Sequence, residues 1–326
     1  MALIEARASP DFFMRGVFVI VGPTATGKSE IAADVAAELG AEIVSADAFQ
    51  IYRGLDLLTA KPDAATLAKA PHHLIGTTSI LEEMSAAKFR ERALGAISAI
   101  HSCGKLAIVV GGSGLYVKAL THGLLSAPAA DPDLRAQLNE MSLDDLHKKL
   151  LKLDPETASK VDVKNRRRLV RAIEVCLLSE QKISGPRKEW ESDVGINGVF
   201  VFRERDELYK RINRRVEAMF DAGVIEEVRT AGAMSETASK MIGLREIREL
   251  LDGKMSILSA SWTDSSGSDQ CMAAIQQATR RYAKRQLTWF RRQTNFDSLN
   301  LSLLTHVEAV EWISQRARLA RAQGNV

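Results

Sequence analysis

The chain has 326 residues, 46% of them hydrophobic and 26% charged, which suits one large or two modest globular domains. Lys and Arg number 44 against 41 Asp and Glu, a net charge of +3, so a polyanion would have to be met by local clusters rather than by the total. Three scattered cysteines and the lack of a membrane-length apolar run argue against a disulfide scaffold and a membrane span, and no signal-peptide core stands at the N-terminus, so a cytoplasmic protein is expected.

Residues 1–16 read as an N-terminal extension. Residues 17–21 (VFVIV) are a β-branched run that predicts a buried strand. G-P-T-A-T-G-K-S at 22–29 follows and fits G-x-x-x-x-G-K-[ST], the phosphate-cradling P-loop. Ile31, Val35 and Leu39 then recur every fourth residue on a helix that Gly40 can end. Strand, glycine loop and helix together are the context the motif needs. Backbone N–H groups of Gly22, Pro23, Thr24, Ala25, Thr26 and Gly27 (Pro23 lacking its own) would wrap a phosphate. Lys28 adds a full charge, and Ser29 can ligate Mg2+. A second strand at 42–45 delivers A-D-A-F-Q to the sheet edge where open α/β sheets bind ligands. Asp47 is thereby brought toward the P-loop, although a capping or solvated Asp is the commoner use of that residue. Thr59 to Pro62 has the composition of a polar turn.

Ser85 can cap a helix with Phe89, Ala93, Ile97 and Ile100 on one face, stopping at Gly104. A third strand at 106–110 runs into a second glycine loop, G-G-S-G-L-Y at 111–116, again at a strand's C-terminal end. P-loop ATPases place an Asp at the end of such a strand to help hold Mg2+. Here the strand ends Val-Val-Gly-Gly, which argues against an ATPase or motor.

From about residue 125 the periods turn helical, and no strand is expected before Val199. Leu134, Leu138 and Met141, then Leu143, Leu146 and Leu150, predict two short amphipathic helices, with Ser142 and Asp145 as a capping box. Residues 164–171 (KNRRRLVR) carry five basic residues and no acid; Arg167, Arg168 and Arg171 share one helix face, opposite Leu169, Ile173 and Cys176. Gly185-Pro186 and Gly195 punctuate the exit. The block 125–200 therefore reads as a helical insertion in an α/β core that covers 17–124 and 201–300. Residues 199–202 are the returning strand. Asp206 is expected to cap the next helix, on which Arg211, Arg214 and Arg215 could converge on an anion. Short helices follow near Ile225 and at 244–247, and 261–269 reads as a flexible loop. Residues 280–292 hold six basic residues, no acid and three interleaved aromatics, a composition suited to phosphate contact and base stacking. Its apolar face runs Met272, Ile275, Thr279, Tyr282, Gln286 and Phe290. Residues 301–326 are expected as a tail. The pieces suggest an enzyme with a phosphate-leaving donor in the P-loop and a nucleic-acid acceptor.

The ordered set resembles the tRNA dimethylallyltransferase (tRNA isopentenyltransferase) family over about residues 17–292. The likeness rests on G-P-T-A-T-G-K-S at 22–29, S-A-D-A-F-Q-I-Y-R at 45–53, T-A-K-P at 59–62, V-G-G-S-G-L-Y at 110–116, R-R-L-V-R-A-I-E-V at 167–175, R-I-N-R-R-V-E at 211–217 and A-K-R-Q-L-T-W-F at 283–290. Ser113 stands where Thr is usual, Ala48 where Ser is usual, and Leu58 where Gly is common. The resemblance implies a P-loop NTPase-like parallel sheet flanked by helices, with a helical insertion domain for the tRNA anticodon arm. It implies transfer of a dimethylallyl group from its diphosphate to the exocyclic amine of the adenosine just 3′ of the anticodon, in tRNAs that read codons starting with U. The P-loop residues and Arg215 would hold the donor's diphosphate, with Mg2+ on Ser29. Asp47 would be the base, aided by Lys28, Arg135 and Ser113. Asp47, Ala48, Phe49, Gln50, Ser113 and Arg135 would meet the tRNA near the target base. Arg167, Arg168, Arg171, Arg245, Arg280, Arg281, Lys284 and Arg285 would grip the rest of it. A monomer with no membrane partner is expected. Two other readings of the residues stay open: a prenyltransferase acting on free adenine nucleotides, and a small-molecule kinase.

Overall fold

The computed structural model describes residues 14–124, 128, 130–179, 183–184, 196–254, 267–293 and 295–324. The expected extension up to residue 13, the turns at Gly185-Pro186 and Gly195, and residues 261–266 of the expected loop lie outside them. The chain divides into two compact units, one formed by Met1–Gly123 with Asp193–Val326 and the other by Leu124–Ser192.

The first unit is built on a parallel sheet. Its strands are β1 (Val17–Val21), β2 (Glu42–Ser45), β3 (His72–His73), β4 (Ala107–Gly111), β5 (Gly198–Phe202) and β6 (Asp297–Asn300). They lie in the order β3-β2-β4-β1-β5-β6, and every pair is parallel. A parallel sheet is covered on both faces, so its central strands have no polar side. All five residues of β1 and of β4 are buried accordingly. Alternation still sorts them: Phe18 and Ile20 enter one apolar cluster, and Val17, Val19 and Val21 enter the other.

Phe18 and Ile20 pack with α1 (Lys28–Leu39), which Gly40 closes in the left-handed conformation at φ 61°, and with a C-terminal helix. The opposite face receives α3 (Ala86–Ser102), which follows the short α2 (Ala64–Ala68), and α4 (Gly114–His122). Ser85 caps α3 by accepting the N–H of Lys88, and Phe89, Ala93, Ile97 and Ile100 form its buried stripe.

The second unit contains α5 (Pro132–Glu140), α6 (Leu143–Leu153), α7 (Pro155–Lys160) and α8 (Arg166–Ser179). Its own core gathers Leu138, Leu146, Leu150, Leu169, Ile173 and Cys176. Ser142 starts α6 by accepting the Asp145 N–H.

After β5 come α9 (Arg205–Asp221), α10 (Val224–Thr230), α11 (Leu244–Leu251), α12 (Gly267–Phe290) and α13 (His306–Gly324). Three expectations are corrected here. Asp206 does not cap α9; the boundary residue is Glu204, and Asp206 lies in the first turn. Residues 267–269 belong to α12 rather than to a loop. Residues 301–324 of the expected tail are packed instead, because α13 buries Ala309, Ile313, Ala317 and Ala320 in the cluster shared with α1 and β1.

Candidate functional site

β2, β4, β1 and β5 are neighbours in the sheet, and the segment after each one turns over the same edge. That edge, outside the C-terminal ends of parallel strands, is where open α/β sheets bind ligands. The P-loop leaves β1. Gly27 ends it at φ 94°, a conformation that glycine adopts without strain, and α1 begins at the next residue. Ala25 also has a positive φ, 65°. Three arginines hold the loop from outside. Arg203 Nε donates to the carbonyl of Thr26 at 2.8 Å, Arg211 Nε to that of Ala25 at 2.8 Å, and Arg215 Nη1 to Thr24 Oγ1 at 3.0 Å. Across a trans peptide the N–H points opposite to the C=O, so turning these two carbonyls outward turns the N–H groups of Thr26 and Gly27 the other way. A concave row of donors at a helix N-terminus is the result, and it suits an anion.

Lys28 is half-buried at the start of α1, and its Nζ donates to the carbonyl of Pro23 at 3.3 Å. Desolvation lowers its pKa to about 8 against the attraction of Asp47, and Arg215 adds repulsion. Burial likewise lowers the pKa of Arg215.

Asp47 follows β2. Its Oδ1 accepts the N–H groups of Phe49 at 2.9 Å and Gln50 at 3.2 Å, so one carboxylate oxygen builds the turn and the other is not needed for it. Ser113, on the glycine loop after β4, accepts the Ala48 N–H at 2.9 Å through Oγ. Gln50 Nε2 donates to the carbonyl of Ala60 at 2.8 Å. Two clefts meet at Asp47. One also contains Lys28, Ser29, Ser45 and Gln50. The other, ≈ 670 Å³ and open to solvent, is lined by Thr24, Asp47, Arg215 and Tyr282 and by the apolar Met219, Phe220, Met241, Ile247 and Ile275.

Among the described residues no cluster of three or more His, Cys, Asp or Glu could hold a metal by itself. Ser29, beside Lys28 and Asp47 in the first cleft, suits a Mg2+ that takes most of its oxygens from a bound diphosphate and water.

The other expected residues fall into separate groups. Arg214 is exposed and does not join Arg211 and Arg215 at the loop. On α12, Arg281, Lys284 and Arg285 are exposed, while Arg280 donates to Asn213 Oδ1 at 2.8 Å. Arg245 on α11 pairs with Glu246 at 3.0 Å. In the second unit Arg167 and Arg168 are exposed. Arg135 and Arg171 both engage Glu174, whose side chain is fully buried; Arg135 does so through Nε at 2.9 Å and Nη2 at 3.0 Å, and Arg171 through Nη1 at 2.5 Å.

Three functional neighbours escape the sequence reading. Gln286 reads as part of an apolar face, yet it is a buried amide bonded to both glycine loops. Glu174 stands unremarked within the R-R-L-V-R-A-I-E-V match, and Arg203 lies outside every motif. The available signal was chemical mismatch: a polar side chain in an apolar stripe, or a charge at a strand end.

Residues 50–293 match the family model described as IPP transferase. The tRNA dimethylallyltransferase 1 of Citrifermentans bemidjiense is 43% identical over 286 residues, covering 86% of this chain and 90% of that protein. The tRNA dimethylallyltransferase of Akkermansia muciniphila is 39% identical, over 84% of this chain and 90% of its own length. The crystal structure of the full-length tRNA isopentenylpyrophosphate transferase from Bacillus halodurans superposes with a TM-score of 0.66 at 33% identity, covering 96% of this chain and 100% of that one. With a sheet, a P-loop and an Asp47 turn on this plan, and with relatives this similar over most of its length, the chain belongs to the IPP transferase family.

Proposed function

We propose that this protein transfers the dimethylallyl group of dimethylallyl diphosphate to the exocyclic amine of the adenosine 3′-adjacent to the anticodon, in tRNAs that read codons starting with U. The observation that carries the reading is the position of Asp47 where an anion-binding loop meets a largely apolar cleft. A diphosphate with a short apolar chain needs both surroundings, whereas a kinase would need polar contacts for a second hydrophilic substrate. The end of β4 at Val110 and Gly111 also supplies no carboxylate of the kind ATPases use.

In this reading the P-loop amides, Lys28 and Arg215 bind the diphosphate, and the apolar cleft takes the prenyl chain. Mg2+ would sit on the Ser29 hydroxyl, where it supplies charge neutralisation for the departing diphosphate. The bond from the adenine nitrogen to the prenyl C1 forms as the C1–O bond breaks, and the electron pair leaves with the diphosphate. A carboxylate is too weak a base to take a proton from a neutral aromatic amine in advance. Asp47 therefore orients the amine first and accepts its proton as nitrogen becomes cationic. Ala48, Phe49, Gln50 and Ser113 meet the target nucleotide, and Arg135 of the second unit contacts the tRNA as well. The exposed cations Arg167, Arg168, Arg281, Lys284 and Arg285, with Arg171, Arg245 and Arg280, contact the phosphates of the anticodon arm.

The test is direct. Incubation of the protein with unmodified tRNA, dimethylallyl diphosphate and Mg2+ is expected to add the mass of one dimethylallyl group to a single adenosine. Folded protein that yields no such product refutes the assignment, and modification of free AMP in preference to tRNA redirects it.

A further inference from the structure

We propose that Gln286 is a positioning residue that locks the donor loop to the acceptor loop. This rests on the reading above, and it concerns a residue whose amide is engaged by the two glycine loops. Gln286 lies on the inner face of α12, 5% exposed. Its Oε1 accepts the N–H of Thr24 at 2.9 Å, and its Nε2 donates to the carbonyl of Gly112 at 2.9 Å. One planar amide thus spans the P-loop and the second glycine loop, using its acceptor on one and its donor on the other. Thr24 is held a second time by Arg215 through its hydroxyl. Tyr282 stands one turn earlier on the same helix and lines the cleft beside Asp47. Ser113 holds the Ala48 N–H beside Asp47. The link therefore runs from the P-loop through Gln286 to Gly112, along the backbone to Ser113, and by its hydrogen bond to the turn that carries Asp47.

The fit around the amide is close. A Cβ added at Gly112 would stand 2.3 Å from Gln286 Nε2 and 3.0 Å from the carbonyl of Gly22. Glycine at 112 is what lets the amide reach both loops. A buried amide with both ends satisfied defines one geometry, and leaving either partner unpaired is costly. The consequence for catalysis is alignment: the reacting carbon and the base are carried by different loops, and displacement of about 1 Å is enough to cost on the order of 10²-fold in rate.

The experiment compares wild type with Gln286→Met, which keeps length and removes both hydrogen bonds. The kcat/KM for dimethylallyl diphosphate is expected to fall by about 10²-fold. The Kd for inorganic diphosphate should rise, and the Kd for unmodified tRNA should stay at the wild-type value. Gly112→Ala, which pushes the amide away, should reproduce the loss, and the double variant should be no worse than either single one, because both break the same link. Gln286→Glu, of the same shape, keeps an acceptor for Thr24 and loses the donor to Gly112; it extends the test if the Met variant does not fold, with a reduced kcat/KM again expected. Wild-type donor kinetics in a folded Gln286 variant would overturn the proposal. So would a loss in the double variant equal to the product of the single losses, or a fall in melting temperature with donor kinetics intact. A wild-type protein that binds diphosphate yet never modifies tRNA would refute the assigned reaction, while the effect of Gln286 on diphosphate binding would still be measured separately.

Discussion

Lys28 and Asp47 face the same cleft with opposite requirements. In the proposed reaction the lysine must be charged when the diphosphate arrives, yet desolvation has drawn its pKa to about 8. Below that pH the ammonium is present and binding is unimpeded; above it a proton must be taken up for the same interaction. The kcat/KM for the donor reports the free enzyme, so it is expected to fall as pH rises through about 8. The kcat reports the complex, where the bound anion raises the lysine pKa, so its descending limb should lie higher. A pH–rate profile with coincident limbs, or none in kcat/KM, would remove Lys28 from this role. Asp47 serves two purposes that substitution can separate. Asp47→Asn leaves an oxygen to accept the Phe49 and Gln50 N–H groups and removes the base. Turnover should fall by roughly 10²–10⁴-fold with tRNA affinity retained. Unchanged single-turnover rates in Asp47→Asn would show that the proton goes elsewhere.

At the scale of elements, the P-loop is shaped by parts that arrive late in the chain: Arg203 after β5, Arg211 and Arg215 on α9, Gln286 on α12. The far side of the sheet depends on α13 in the same way. Ile313 is fully buried among residues of α1 and β1, while Ser314 and Arg318 reach Glu38 and His306 reaches Asp34. Ile313→Ala should therefore cost about 2–5 kcal/mol in chemical denaturation, a core value that a frayed tail could not give. A loss under about 0.5 kcal/mol, the range of exposed sites, would contradict the packing. The sequence made α13 hard to see because three of its four buried apolar positions are the alanines Ala309, Ala317 and Ala320, which give a weak apolar stripe. β6 reads Asp-Ser-Leu-Asn and β3 His-His; both are edge strands recruited by pairing rather than by hydrophobicity. β1, β4 and β5 were legible because burial on both faces writes them as apolar runs, whereas β2 shows only Ile43 and Val44 between Glu42 and Ser45. At the site, Lys28, Ser29 and Asp47 were legible from motif and strand end. The clamps were not, because a hydrogen bond such as that of Gln286 to Thr24 joins positions 262 residues apart and leaves no local pattern.

Across the whole molecule the near balance of 44 basic and 41 acidic residues conceals where the charge is displayed. Many of the acids are spent locally: Glu174 on Arg135 and Arg171, Glu207 on Arg203, Glu246 on Arg245. Arg167 and Arg168 stand exposed on α8 in one unit, and Arg281, Lys284 and Arg285 stand exposed on α12 in the other. A polyanion bound through such residues releases counterions, and the affinity then depends steeply on salt. Arg171 is a poor probe of this, since its removal also takes a partner from the buried Glu174. Arg167 and Arg168 are better, because both are exposed on α8. Replacing both with Gln should weaken tRNA binding and flatten the plot of log K against log salt by roughly 0.7–0.9 for each phosphate that is no longer neutralised. The KM for dimethylallyl diphosphate should not change, since the donor loop belongs to the first unit. Binding measured over a series of salt concentrations decides it: a slope equal to that of the wild type would make this face of α8 an ordinary solvated surface, and a shallower slope with unaltered donor kinetics would make it part of the RNA-binding surface.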